Sequence, residues 1–159
     1  MRIVERAEQP YRGITRHVTM TTVHEIADRL PDVFGWLMER GVEWVDAPFF
    51  RYHVVDMDGQ LEIEAGVPVP PNSAIPASDE DVTAGTLPAG RYVVTTHVGH
   101  PDQLVRVTAE LLAWAEEHGE AFDQDGNHWA ARLEFYRSDP AVEPDMNKWE
   151  VELAFKLAD

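Results

Sequence analysis

At the two-residue period of a β-strand, the last stretch of the chain separates into two faces. Trp149, Val151, Leu153, Phe155 and Leu157 fall on one side, and Glu150, Glu152, Ala154 and Lys156 on the other. The apolar side suits packing against helices. The other sets two carboxylates side by side, which describes either a water-facing surface, the commoner use of such alternation, or the floor of a site. The pattern has an earlier counterpart at Leu61-Glu62-Ile63-Glu64-Ala65-Gly66-Val67-Pro68-Val69. Upstream of the two strands, Trp36-Leu37-Met38-Glu39-Arg40-Gly41 parallels Trp114-Ala115-Glu116-Glu117-His118-Gly119, and Arg16-His17-Val18-Thr19 parallels Thr96-His97-Val98-Gly99. The separations agree within loop-length variation. The chain reads as one domain over residues 1–159, with an internal repeat over about 1–70 and about 82–159 and a proline-rich linker at about 70–81.

Taken in order, residues 3–20 carry β-branched and polar residues that predict a strand. Thr22-Val23-His24-Glu25 has the Thr-x-x-Glu form of a helix-capping box. Ile26, Leu30, Val33, Phe34 and Leu37 follow at helical spacing, Pro31 predicts a kink or a break into two short helices, and Gly41 is a left-handed stop. Phe49 to Val55 reads as a strand, joined through Asp58-Gly59 to the first glutamate strand in a hairpin with a type I′ turn. After the linker, Arg91 to Val98 is a strand, and Pro101 opens a helix whose apolar stripe is Leu104, Val107, Leu111, Trp114 and Ala115. An Asp125-Gly126 turn, a strand from Trp129 to Tyr136 and the final strand complete the second half. The predicted fold class is α+β: two pseudo-symmetric βαββ halves, antiparallel sheets with helices on one face, and a ligand cleft between the halves.

Composition narrows the chemistry. Apolar residues make up 44% and charged residues 26%, as in an ordinary globular domain. With Lys+Arg 13 against Asp+Glu 29, the formal charge of −16 repels phosphate backbones and anionic lipid, so neither nucleic acid nor membrane is an expected partner. Cysteine is absent, which removes disulfides, thiolate catalysis and sulfur-ligated zinc and fits a cytoplasmic location. No signal-peptide run or membrane-length apolar stretch is present.

Of the candidate sites, metal readings are weak. Asp56-x-Asp58-Gly59 and Asp123-x-Asp125-Gly126 place their glycines too early for a calcium loop and lack its closing glutamate, and His97 and His100 at a strand end have no third ligand at a recurrent spacing. Neither metal nor cofactor is expected. Ser73, Ser78 and Ser138 stand in no Gly-x-Ser-x-Gly elbow. The stronger constellation joins the glutamate strands to aromatic strands: Glu64, Glu150 and Glu152, with Phe50, Tyr52, Tyr136 and Trp129. Rings supply contact area and cation–π attraction and a carboxylate supplies charge, a combination that suits a polar aromatic or an aromatic cation. The competing reading makes the rings core and the carboxylates surface.

Four stretches together resemble the GyrI-like small-molecule-binding family, the effector-binding domain of AraC- and MerR-type multidrug regulators. They are Arg51-Tyr52-His53 leading to Glu62-x-Glu64-x-Gly66-x-Pro68-Val69; Leu87-Pro88-Ala89-Gly90-Arg91-Tyr92; His97-x-Gly99 before the second helix; and Tyr136-x-x-Asp139-Pro140 followed by Trp149-x-x-Glu152. The resemblance covers nearly the whole chain. It implies a pocket whose central glutamate falls on Glu152, although Val151 stands where threonine is usual and Lys156 where proline is usual. It assigns the pocket tyrosine before Asp-Pro to Tyr136, with Tyr52 as its counterpart. The expected function is that of a stand-alone binder of hydrophobic, cationic or polar-aromatic small molecules, because the chain begins at its first strand with no room for a helix-turn-helix. The alternative is a hydrolase of strained, cyclopropane-type electrophiles using a pocket glutamate as base. A third reading, an acidic module that inhibits a protein partner, rests on the charge alone. Ligand identity and oligomeric state are left open.

Overall fold

A computed structural model describes residues 1–56, 58–71, 78–79 and 81–159. The strands are β1 (Arg2–Arg6), β2 (Gln9–Thr19), β3 (Phe49–Val55), β4 (Gln60–Pro68), β5 (Ser78–Asp79), β6 (Val82–Leu87), β7 (Gly90–Val98), β8 (Gln124–Asp125), β9 (His128–Trp129), β10 (Arg132–Tyr136) and β11 (Glu150–Lys156). The helices are α1 (His24–Ala27), α2 (Leu30–Glu39) and α3 (Leu104–Glu117). Pro31 sits in the first turn of α2, so the predicted break falls just before it. The capping box does not form: Val23 occupies the cap position of α1 without a side-chain bond, and the Thr22 hydroxyl accepts instead from the Thr19 amide, closing the turn that leaves β2. Gly41 and Gly119 end α2 and α3 at φ of 67° and 69°. The hairpin between β3 and β4 forms, with Gly59 donating to the Asp56 carbonyl; Met57 of that turn lies outside the described residues, as does most of the proline-rich linker.

All strand pairings are antiparallel, and the path across the sheet runs β1-β7-β11-β10-β3-β4-β2-β6-β5. The central six strands are two triplets, β7-β11-β10 and β3-β4-β2, arranged as mirror orders about the β10–β3 pairing. Each triplet places its last strand in the middle. This is the pseudo-symmetric βαββ arrangement that the repeated pattern predicts.

Registers explain how the sheet curls. Arg2 lies opposite Val94 and Arg6 opposite Gly90, while Gln9 lies opposite Leu87 and Gly13 opposite Thr83. The pairing offset is unchanged across the interruption at residues 7–8 and 88–89. Residues 2–13 and 83–94 are therefore one long antiparallel pair that ties the two ends of the six-stranded centre together. The helices all pack on one face, α1 and α2 against Ile14, Ile63, Ala65 and Val67, and α3 against Val93, Val151, Leu153 and Phe155. Among the described residues no helix covers the other face, yet Tyr11, Phe49, Tyr92, Phe135 and Ala154 are buried there. The sheet's own curvature buries them, which makes this an inner face.

Curvature this tight requires small residues opposite the rings. Phe49 pairs directly with Gly66, and a Cβ there would lie 2.4 Å from Phe49 Cζ; at Gly85, opposite Tyr11, a Cβ would lie 2.4 Å from Tyr11 Cζ. Lys156 is also buried on the inner face, donating to Asp123 at 2.9 Å and to the Leu157 carbonyl at 3.1 Å. Among the described residues, no helix is long and apolar enough to cross a membrane. Gly66→Ala is expected to cost about 1–3 kcal/mol by overpacking, read as a lower thermal midpoint, because both ring and backbone are fixed by the sheet.

Candidate functional site

The central row of cross-strand partners on the helix face runs Ile14, Ala65, Phe50, Glu134, Leu153, Thr95. It crosses the seam between the halves at Phe50 and Glu134. Above that seam, between α1–α2 on one side and the start of α3 on the other, lies a cavity of about 890 Å³. Its aromatic walls are Phe34, Trp44, Phe50, Tyr136 and Trp149. Phe34 and Trp44 meet edge-on at 4.7 Å, and Phe50 and Tyr136 at 5.1 Å, so the rings hold one another in place. Trp149 is fixed by its indole N–H donating to the Glu143 carbonyl at 2.8 Å.

Glu134 is the carboxylate beneath these rings. Tyr136 Oη donates to Glu134 Oε2 at 2.9 Å, and Tyr52 donates from β3. Burial raises the Glu134 pKa above the usual carboxylate range, partly offset by the two phenol hydrogen bonds and the positive charge of Arg132. Burial and the same carboxylate push both tyrosines far above their ordinary values. The result is a carboxyl group that exchanges its proton at unusually high pH, flanked by two phenols that keep theirs.

The other sequence-selected residues separate across the sheet. Phe50, Tyr52 and Tyr136 come together on the helix face. Glu152, cross-strand partner of Phe135, points to the inner face, where its Oε1 accepts from Arg6 at 2.7 Å and Arg137 at 3.0 Å. Burial alone would raise its pKa, but the hydrogen bonds and charges of the two arginines outweigh this and hold it below the ordinary range. Glu64 is also on the inner face and buried; Tyr11 Oη donates to its Oε1 at 2.5 Å and His53 Nε2 lies 2.8 Å from the same oxygen. His53 is the extra residue where the β3–β4 register shifts. Glu150 is exposed at the start of β11. Trp129 packs behind the site on Phe122 and Phe155, away from the cavity lining. A smaller inner-face cavity of about 310 Å³ opens beside Arg6, Tyr92 and Phe135. Arg137 reaches the lining of both cavities.

Glu134 was not among the sequence-selected residues, although its signal is present. In Arg132-Leu133-Glu134-Phe135-Tyr136 a period of two puts Glu134 on the face of Tyr136. The glutamate pairs of the two repeat strands drew attention to the middle strand of each triplet, whereas the seam is built by β3 and β10.

The profile of the GyrI-like small molecule binding domain family matches residues 1–158. Among solved structures, the C-terminal domain of EcmrR matches with a TM-score of 0.75 and 16% identity over 99% of this chain and 96% of that one. In the EcmrR–DNA complex the TM-score is 0.82 at 18% identity; 99% of this chain is matched, and it spans 57% of the EcmrR chain. A hydrolase from Listeria innocua gives 0.68 and 15%, covering 99% and 91%. SAV2435 bound to tetraphenylphosphonium gives 0.64 and 13%, covering 99% and 93%. At these identities the likeness is one of fold. No curated protein sequence matches the chain.

The two carboxylates predict opposite pH signatures. Glu134 has a raised folded-state pKa, so stability is fully present below the unfolded carboxylate range and is lost as pH rises toward the folded value. Glu134→Gln should therefore melt like wild type in acid, below the unfolded carboxylate range, and at a higher temperature than wild type at neutral pH. Glu152 has a depressed pKa, and its contribution is present above the unfolded range and lost as pH falls through the folded value. Glu152→Gln should lower stability at neutral pH by about 1–2 kcal/mol, with the difference vanishing in acid. Thermal melts across pH 3–8 check both.

Proposed function

From a chain that belongs to the GyrI-like small-molecule-binding domain family over residues 1–158, we propose that the helix-face cavity binds bulky aromatic small molecules and favours cations. The observation that carries this reading is a ring-walled cavity of about 890 Å³ with one wall, Tyr136, hydrogen-bonded to a partly buried glutamate. The volume lies within the range of about 300–1,000 Å³ usual for ligand sites. Phe50, Tyr136, Trp44 and Trp149 supply contact area, and Glu134, backed by Tyr52, supplies the negative charge that a desolvated cation needs. In this reading Glu134 takes the part that the sequence pattern suggests for Glu152. The complex of SAV2435 with tetraphenylphosphonium supports the ligand class by analogy of fold.

A second reading has one observation in its favour. A carboxyl group biased toward its protonated form between two phenols suits general acid–base chemistry on a strained electrophile. For a ring strained at a C–O or C–N bond, the acid would protonate the leaving heteroatom as that bond breaks, water would form the new C–O bond, and the proton that water sheds would return to the Glu134 carboxylate. Several turnovers of product, lost in Glu134→Gln, would distinguish an enzyme from stoichiometric capture.

Titration with tetraphenylphosphonium tests the binding reading. At about a hundred times its dissociation constant the cation should stabilise the protein by about 2.7 kcal/mol, roughly 5–10 °C. Glu134→Gln should weaken binding at least tenfold, and Glu152→Gln should leave it near wild type. Affinity should rise with pH as Glu134 ionises, because the cation selects the carboxylate form, and this dependence should disappear in Glu134→Gln. Loss of binding in Glu152→Gln with Glu134→Gln unaffected would move the site to the inner face and overturn the proposal.

A further inference from the structure

Arg132 stands two residues before Glu134 on β10, on the same face of the sheet, with Phe155 as its cross-strand partner. Its guanidinium carbon lies 4.8 Å from the Trp129 ring centre, 4.9 Å from that of Phe155 and 5.9 Å from that of Tyr52. Arg6 and Arg137 reach the Glu152 carboxylate, and Arg51 donates to the Tyr11 phenol at 2.9 Å and to the Ala130 carbonyl at 2.7 Å. Among the described residues the Arg132 guanidinium makes no hydrogen bond or ion pair. Aromatic faces hold it where a carboxylate would ordinarily do so.

This placement fixes a positive charge close to Glu134 without neutralising it by contact. The Glu134 oxygens are engaged by the phenols of Tyr52 and Tyr136. A contact ion pair would lock both groups and present a ligand with nothing to bind. A guanidinium held by rings at one remove instead acts on the cavity through space, and each charge contributes to the potential that a ligand meets. Glu134 and Arg132 lie beneath the lining; the charged or titratable groups in the lining itself are His24 of α1, Tyr136, Arg137 and Asp139. Arg137 is committed to Asp46 and Glu152.

Resting on the binding reading above, we propose that Arg132 is the specificity-determining residue for ligand charge. It is a built-in counter-cation that offsets part of the Glu134 field, so that the cavity accepts neutral and polar aromatic molecules alongside cations. Without it the site would be a strict cation receptor. Trp129 then has a part of its own: it does not line the cavity, but holds the guanidinium at its station.

A pair of probes with the same shape and opposite charge separates this from a packing effect: tetraphenylphosphonium and tetraphenylborate. Their affinities are measured by calorimetry in 0.15 M salt across a pH series that extends into the alkaline range, with wild type, Arg132→Met, Arg132→Lys and Glu134→Gln. Methionine keeps an unbranched apolar chain among the rings, and lysine keeps the charge. Unit charges about 10 Å apart at an effective dielectric constant of about 20 interact enough to change affinity roughly tenfold. Arg132→Met should therefore bind the phosphonium about tenfold more tightly and the borate about tenfold more weakly, while Arg132→Lys keeps the wild-type ratio and Glu134→Gln moves it the other way. If both probes strengthen or weaken together in Arg132→Met, or if Arg132→Lys behaves like Arg132→Met, Arg132 acts through packing and the proposal is wrong. If neither probe binds wild type, the cavity reading fails and this inference fails with it.

Discussion

One antiparallel register, running through residues 2–13 and 83–94 and keeping its offset across the interruption at 7–8 and 88–89, determines the shape of this protein. Because this pair joins β7 at one end of the six-stranded centre to β2 at the other, the sheet between them must bend. Bending gives the two faces different physics. The outer face is covered by helices and keeps a gap between them above the seam. The inner face has no such cover and is filled by its own rings, with Gly66 and Gly85 providing the clearance that Phe49 and Tyr11 need.

That asymmetry sorts the carboxylates. Glu152 and Glu64 face inward, where space is short and neighbours are close, and each is engaged by two partners on its Oε1 atom. Such groups fix geometry. Glu134 faces outward beneath the interhelical gap, held by phenols, with its nearest cation suspended among rings. Hydrogen bonds from neutral donors leave the charge largely uncompensated, which is why the proposed binding reading centres on this carboxylate. Burial alone does not distinguish the two roles; the chemistry of the partners does.

Much of the architecture was legible in the chain. The repeated Glu-x-Glu strands, the paired helices and the glycine stops at Gly41 and Gly119 follow from period and turn chemistry, which act locally. The Thr22 capping box failed because a turn claimed the hydroxyl first. The polar side of the last strand was harder to read. Alternating Glu150, Glu152, Ala154 and Lys156 looks like a solvated face, yet Ala154 and Lys156 are buried, because the sheet's curl depends on pairings between residues far apart in the chain. The same long-range pairing decides that β10 and β3, rather than β11 and β4, form the seam. Phe50, Tyr52 and Tyr136 were recognisable as aromatic residues of strands; that Glu134 would lie among them follows only once β10 is set beside β3.

Arg137 lines the cavity above the sheet as well as the one within it, and shares the Glu152 oxygen with Arg6. At this corner the sheet is only one side chain thick. A guest that draws the guanidinium outward takes a hydrogen bond away from the interior and leaves Arg6 holding Glu152 alone. The two compartments therefore have a common wall, and on the proposed reading a guest in one would loosen the ion pair that closes the other.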